Sequence, residues 1–394
     1  MAGVRVRAVA ALALLAALAA CGKVIPPGPV PPVIATPPTA FAAGIKSGPA
    51  IRKLGLGDAD ASAALASFRE SCPKLLARED ASGLTRQFDW MPACNAVQKN
   101  DFANAIGFFD QHFETVRVGA GDAFVTGYYE PEIAGVRTRQ AGFDVPVYKL
   151  PSDLVRAKPG DAELLGSGQM PLGRYDANGV FVPYWTRCDI EDGALAGKGL
   201  EIAWVADPVE FFFLQVQGSG RLRAPDGTVV RIGYAGQNGH AYTGIGAVMR
   251  QRGLLGEGPG LYPGSMQGIM AYIRDHPEEG RALMRENKSW VFFRELTGDG
   301  PVGALGVPVR RESSAAADPK FVPLGAPVWL EVDRPQASGL WIAQDTGGAI
   351  KGANRIDSFW GAGADAREIA GGMSARGRAL LLLPKGTVAR ITGK

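Results

Sequence analysis

The chain has 394 residues, 46% of them hydrophobic, with 53 glycines, 28 prolines and a formal net charge of +3. That length suffices for two domains with real cores, and the glycine and proline content favours short strands and turns over long helices. The small net charge excludes bulk nucleic-acid binding, which needs a dense basic face.

Residues 1–20 read as a targeting segment. Arg5 and Arg7 form a basic start, and Val9 to Ala20 is an apolar run too short for a comfortable membrane span. The run ends in Leu18-Ala19-Ala20-Cys21. This resembles a bacterial lipoprotein signal, which implies cleavage before Cys21 and lipidation of its thiol. Gly22 follows in place of Asp. By resemblance to Gram-negative sorting rules, that implies anchoring on the periplasmic side of the outer membrane. Residues 21–44 are rich in proline, cannot pack a core, and read as an extended tether.

Ala59 to Asp80 and Asp101 to Glu114 have helical spacing, with Phe102, Ile106, Phe109 and Phe113 on one stripe suited to core packing. Cys72 and Cys94 lie close together in this helical region. They are the expected disulfide of an exported chain, with Cys188 left free. A metal site is not expected: there is no C-x-x-C, no H-E-x-x-H, and only three histidines.

From Ala123 the texture becomes β-rich. "AFVTGYYEPEI", "VPVYKL", "EIAWVAD", "EFFFLQVQGSG" and "TVVRIGYAG" read as short strands between Gly, Pro and Asp turns. Met266 to Glu286 returns to helix with a break at Pro277. "SWVFFREL", "PVWLEVD", "LWIAQDT" and "ALLLLPKG" restore strands. Helical crossovers are too few for a doubly wound sheet. The expected class is mainly β with some α, built as barrels.

Three short motifs carry little. Gly361-Ala-Gly363-Ala-Asp-Ala366 lacks a following βαβ unit. Ser71-Cys-Pro-Lys74 lacks the partner motifs of a serine nucleophile. Asp345-Thr346-Gly347 occurs once, where an aspartic protease needs two such aspartates sharing a proton.

Longer blocks are specific. "VTGYYEP" (125–131), "FFLQVQGSG" (212–220), "GYAGQNGHAYTGIG" (233–246) and "QDTGGAIKGANRIDSFWG" (344–361) occur in this order. Together they resemble the membrane-bound lytic murein transglycosylase A family. The last block resembles the 3D domain, named for three aspartates: here Asp318, Asp345 and Asp357. Ala353 is an insertion relative to the usual G-N-R-x-D pattern and lengthens the Asp345–Asp357 spacing by one. The resemblance implies a double-psi β-barrel from residues 45–130 and 299–394, with the 3D domain at about 318–394. It also implies an inserted, barrel-like substrate domain over 131–298, and a groove between the two for a glycan strand.

The implied reaction cleaves the β-1,4 bond between N-acetylmuramic acid and N-acetylglucosamine in peptidoglycan. The muramoyl C6 hydroxyl, rather than water, attacks C1 and leaves a 1,6-anhydro end. An intramolecular nucleophile replaces much catalytic apparatus, so one carboxyl group suffices as acid and then base. By resemblance that group is Asp357, with Asp345 in support. Ile356, Phe359 and Trp360 are the expected apolar wall that raises the Asp357 pKa from about 3.9. The expected sugar contacts are Thr126, Gly127, Tyr128 and Tyr129, then Gln215 and Gln217 alternating on a strand, Ser219 and Gly220, and Tyr234, Asn238 and Tyr242 on a glycine-rich loop. Lys351 and Arg355 balance the aspartates or meet the peptide carboxylates. No cofactor is implied. The partners implied are glycan strands, the membrane through the anchor, and other cell-wall enzymes. A hydrolytic muramidase using both aspartates and a non-catalytic wall-binding module remain as alternatives.

Overall fold

A computed structural model describes residues 37–99, 104–298 and 300–393. The leader, Cys21, most of the proline-rich segment and Phe102 lie outside them. The described end of that segment is docked rather than extended. Thr39 caps a short helix, Ala40–Ala43. Buried Ala40 donates its N–H to Lys320 O, and Phe41 donates to Ser82 O. The folded body therefore begins near Pro38, earlier than residue 45.

Seventeen strands are seen among the described residues. They are β1 (Ile45–Ser47), β2 (Phe113–Val118), β3 (Asp122–Glu130), β4 (Glu132–Val136), β5 (Val145–Tyr148), β6 (Val155–Arg156), β7 (Leu172–Tyr175), β8 (Phe181–Pro183) and β9 (Glu201–Val205). There follow β10 (Ser219–Arg223), β11 (Val229–Gln237), β12 (Val291–Glu295), β13 (Ser314–Ala317), β14 (Pro327–Val332), β15 (Gly339–Asp345), β16 (Arg355–Ala362) and β17 (Ser374–Pro384). With helices between them, the fold is mainly β with some α. One sheet has the order β1-β2-β17-β14-β15-β13-β16-β3, and β3 also pairs with β17. A second has the order β12-β11-β10-β4-β9-β5, and β6-β7-β8 form a third. The second and third sheets use only the chain between β3 and β13.

The cores follow this division. The larger packs Phe68, Trp90 and Phe109 from the N-terminal helices against Phe113, Val328, Trp341, Ile356 and Leu381 of the first sheet. A separate core joins Tyr148, Leu214, Ile232, Trp290 and Phe292 of the second sheet and its helix. The helix Asp58–Leu75 is pinned to β15 by Gln344, whose Nε2 donates to Ser67 O and Ser71 Oγ at 2.9 Å each. Ser71 is fully buried in this contact, so the S-x-x-K match is a packing feature.

The stretch "EFFFLQVQGSG" departs from the sequence reading. Pro208–Gln217 is an α-helix, and only Ser219–Arg223 is a strand. Asp207 caps the helix by accepting from Val209 N and Glu210 N, Pro208 stands in the first turn, and Gly218 ends it at φ +82°. Phe211, Phe212, Phe213, Leu214 and Gln215 are all buried, so the helix shows no polar stripe to betray its period. Met266–Asp275 and Pro277–Glu286 form two helices split at the proline.

Cys72 and Cys94 form a disulfide, and Cys188 is free. The bond closes a loop with a sequence separation of 22. Loop-closure entropy for such a loop is about 3 kcal/mol. Replacing both cysteines by Ala is expected to lower unfolding free energy by about that amount. Chemical denaturation of oxidised wild type and the double variant measures it.

Candidate active site

Strand register places the acidic pair. Ala316 of β13 pairs with Asp345 of β15 on one side and Asp357 of β16 on the other. Asp357 in turn pairs with Thr126 of β3. Paired residues point to one face of a sheet, so Asp345, Ala316, Asp357 and Thr126 form a row across four strands. Two strand spacings put the aspartate Cα atoms about 10 Å apart.

Each carboxylate has its own support. Asp357 Oδ1 accepts from Thr126 Oγ1 at 2.5 Å. Thr126 Oγ1 accepts from Arg355 Nη2 at 2.9 Å, so a donor chain runs from guanidinium to carboxylate. Asp345 Oδ1 accepts backbone N–H bonds from Ala304 and Thr346 at 2.8 Å each. The third aspartate is structural. Buried Asp318 accepts from Lys320 N and Gly352 N, which fixes the turn between the other two. That turn needs left-handed backbone at Gly352 (φ +96°) and Asn354 (φ +55°), which glycine and asparagine tolerate. Asn354 Nδ2 then donates to Val118 O, so the residue beside the inserted Ala353 is anchored.

The apolar wall differs from the expected one. Side chains alternate along β16, so Ile356 and Trp360 point into the main core. Phe359 shares the face of Asp357 and packs with Tyr128, Val309, Ala316 and Ile350. The Tyr128 and Phe359 ring centroids are 4.9 Å apart.

This setting raises both carboxyls. Burial lifts Asp345 to about 6 against the N–H bonds of Ala304 and Thr346, and the Asp357 charge adds to the rise. Burial also raises Asp357, opposed by the Thr126 hydroxyl and the Arg355 charge. Tyr128 is pushed well above its usual value by burial first, then by Asp345 and Asp357. Its Oη sits beside Asp345, yet neither it nor buried Thr346 Oγ1 makes a well-formed hydrogen bond.

A carboxyl whose folded pKa is raised binds more protons folded than unfolded. Its cost to stability is absent below the unfolded pKa and grows as pH rises through the folded one. Stability is therefore expected to fall between about pH 4 and 6, by up to about 3 kcal/mol for Asp345. Urea unfolding at pH 4.5 and 7 reads this. Asp345→Asn keeps the two N–H bonds and should flatten the difference.

The other candidate residues divide by burial. A Cβ added to Gly348 would meet Tyr242 Cβ at 3.6 Å, so an insert loop lies near the glycine turn. Burial raises the Tyr242 phenol, Arg187 lowers it, and Asp357 raises it again. Tyr234 is 52% exposed on β11, and Lys351 is exposed. Gly127 and Tyr129 face away from Asp357. With Phe213, Val216, Met266 and Ile269 they line a cavity of about 190 Å³ on the other side of β3. A Cβ on Gly127 would come within 2.9 Å of Ala370 Cα and Trp360 Nε1, so packing demands glycine there. Gln217 Oε1 accepts from Tyr129 N at 3.0 Å and fastens the end of β3 to the helix. Ser219 is half-buried at the start of β10.

Three expected sugar contacts are not groove residues. Gln215 is buried inside the helix, not on a strand face, and donates to Val291 O. Gly220 is buried where a Cβ would meet Leu214 and Pro131 O. Asn238 has no exposed surface, and its amide is fully used inside the insert: Nδ2 donates to Trp185 O and Lys288 O, and Oδ1 accepts from Trp290 N. Sequence reasoning also missed Arg187. Its guanidinium is buried between Phe212 and Trp290 and donates to Asn287 O and Ser289 O. A lone arginine outside any motif carries no signal of that.

Strand row, turn and insert define a class: a β protein that presents an acidic pair on one sheet, with a second β-rich body inserted between two strands of that sheet. Known proteins narrow it. A family model for the MltA specific insert domain matches residues 124–294, and one for the 3D domain matches 313–383. Membrane-bound lytic murein transglycosylase A of Vibrio cholerae is 31% identical over 265 residues, 64% of this chain and 63% of that protein. A crystal structure of MltA from Neisseria gonorrhoeae is 35% identical, covers 87% of this chain and 93% of its own, and superposes with a TM-score of 0.69. E. coli MltA with bound chitohexaose is 28% identical, covers 86% and 94%, and has a TM-score of 0.62. The chain belongs to the membrane-bound lytic murein transglycosylase A family. It spans slightly less than two thirds of the length of the curated relatives it matches, 63% and 66% for the first two.

Proposed function

We propose that this chain is a peptidoglycan lytic transglycosylase that cleaves the N-acetylmuramic acid–β-1,4–N-acetylglucosamine bond and leaves 1,6-anhydromuramoyl ends. The observation that carries this is the row Asp345–Ala316–Asp357–Thr126, which sets two raised carboxyls on one face beside a loop of the insert. Family membership supports it, as does the chitohexaose held by an E. coli relative. Asp357 protonates the leaving oxygen, then accepts the proton of the C6 hydroxyl as that oxygen closes on C1. Thr126 and Arg355 steady the carboxylate that forms between the two steps. Asp345 supplies negative charge to the oxocarbenium-like transition state. Thr126, Tyr234, Tyr242 and Lys351 are the sugar contacts this reading retains, and Tyr128 lies buried behind the acidic pair.

In the same reading, β3, β13, β14, β15, β16 and β17 make a double-psi barrel. The pairing of β3 with both β16 and β17 supports this. The insert spans about residues 131–298. Cys21 carries the lipid that holds the enzyme on the periplasmic side of the outer membrane, near other wall enzymes.

Two carboxyls on one face also suit hydrolysis by an acid and a base. Mass spectrometry of soluble products from digested sacculi separates the two. Anhydro ends are expected, and reducing ends would establish the hydrolase instead.

A further inference from the structure

Tyr128 has no place in the single-aspartate mechanism, yet its setting is unusual. Its residue is 8% exposed, and its hydroxyl is fully buried without a well-formed bond. Its hydrogen-bonding neighbour is the Asp345 carboxyl, so a phenol buried from solvent is committed to the acidic pair. The ring rests on Phe359, Ala316, Val309 and Ile350, none of which offers a polar atom from its side chain. The polar groups that act on it are Asp345 from β15 and Asp357 from β16. Arg355 and Tyr242 act on Asp357 from β16 and the insert loop. Ala316, which packs in the same cluster as the ring, pairs with both aspartates, so the ring lies against the row that carries them.

We propose that Tyr128 is a positioning residue that bridges Asp345 and Asp357 into a dyad holding one shared proton. The inference rests on the proposed role of Asp357. A phenol both accepts and donates. With one proton on the pair, Tyr128 accepts from the acid and donates to the carboxylate. With no proton on the pair the bond to Tyr128 Oη is lost, and with two the phenol donates to a neutral carboxyl, a weaker bond than to a carboxylate. The bridge therefore stabilises the singly protonated pair against both neighbours and widens the pH interval in which it exists. Transfer across the bridge balances. The Asp345 proton passes to Tyr128 Oη as the phenolic proton passes to Asp357, no tyrosinate persists, and the total charge is unchanged. Asp357 is then loaded as the acid while Asp345 is left anionic.

The test is the pH profile of product release from purified sacculi by wild type, Tyr128→Phe, Asp345→Asn and the double variant. In Tyr128→Phe both limbs are expected to move inward, each by about one pH unit. The double variant should show no further narrowing beyond Asp345→Asn. A uniform rate loss with both limbs in place would mean that Tyr128 only packs, and overturns the proposal. A second measurement needs neither variant nor activity. In wild type with ¹³C-labelled aspartate, the carboxyl signals of Asp345 and Asp357 should each move in both titration steps. Independent single-step titrations would overturn the shared proton. Asp357→Asn that stays active would sink the functional reading, yet it leaves this titration result standing.

Discussion

Asp357→Asn is expected to lower release of anhydro-muropeptides by about 10³-fold, the range for loss of a general acid–base group. An amide cannot deliver a proton, but it can still accept from Thr126 Oγ1, so the donor chain from Arg355 survives. The folded protein should not suffer. Burial raises the Asp357 carboxyl, which means its ionised form is disfavoured in the fold. At neutral pH that cost is present in wild type and absent in the variant. The variant should therefore melt at or slightly above the wild-type temperature while retaining binding to sacculi. Activity by product mass spectrometry and stability by calorimetry check both halves. Retained activity, or loss of activity through unfolding, would each contradict the assignment. Asp345→Asn should cost less, because its amide still takes both backbone N–H bonds and it delivers no proton to the substrate itself.

The two effects share an origin. On the proposed mechanism, carboxyls that are costly to ionise in the fold are the ones suited to hand a proton to a substrate oxygen. The stability lost between pH 4 and 6 and the ability to act as an acid near neutral pH both follow from burial of Asp345 and Asp357.

Where local chemistry decides structure, the sequence is readable. Alternating runs such as "PVWLEVD" and "LWIAQDT" are strands, Pro277 splits a helical segment, and the three aspartates lie around one glycine turn. Where tertiary partners decide, it is not. The row that aligns Asp345 with Asp357 depends on Ala316, which nothing in its own surroundings singles out. The wall around Asp357 was assigned from neighbours in sequence, but strand alternation sends Ile356 and Trp360 to the far side. The helix Pro208–Gln217 was readable from Asp207, Pro208, Glu210 and Gly218, but three consecutive phenylalanines outweighed those end signals. Asn238 is the sharpest case. A polar residue in a glycine-rich loop of a glycan enzyme suggests a sugar contact, and the structure turns its side chain inward.

That difference has a measurable consequence. Asn238→Ala is expected to lower stability by about 4 kcal/mol, since it strands Trp185 O and Trp290 N, at roughly 1–3 kcal/mol each, and takes one of the two bonds from Lys288 O. These groups belong to a buried knot. Arg187 N donates to Lys288 O, Arg187 Nε donates to Asn287 O, and Asn287 Oδ1 accepts from Thr243 N. Tyr242 lies next to Thr243 and within 3.6 Å of where a Cβ on Gly348 would stand, so the knot sets how the insert loop approaches the glycine turn. Loosening it should lower the melting temperature by about 10 °C and raise KM, with kcat less affected. Tyr242→Ala is the control, because it removes the ring while keeping the knot: KM should rise with the melting temperature nearly unchanged. If Asn238→Ala instead leaves stability intact and loses only affinity for sacculi, Asn238 touches the glycan and the inward-facing amide is wrong.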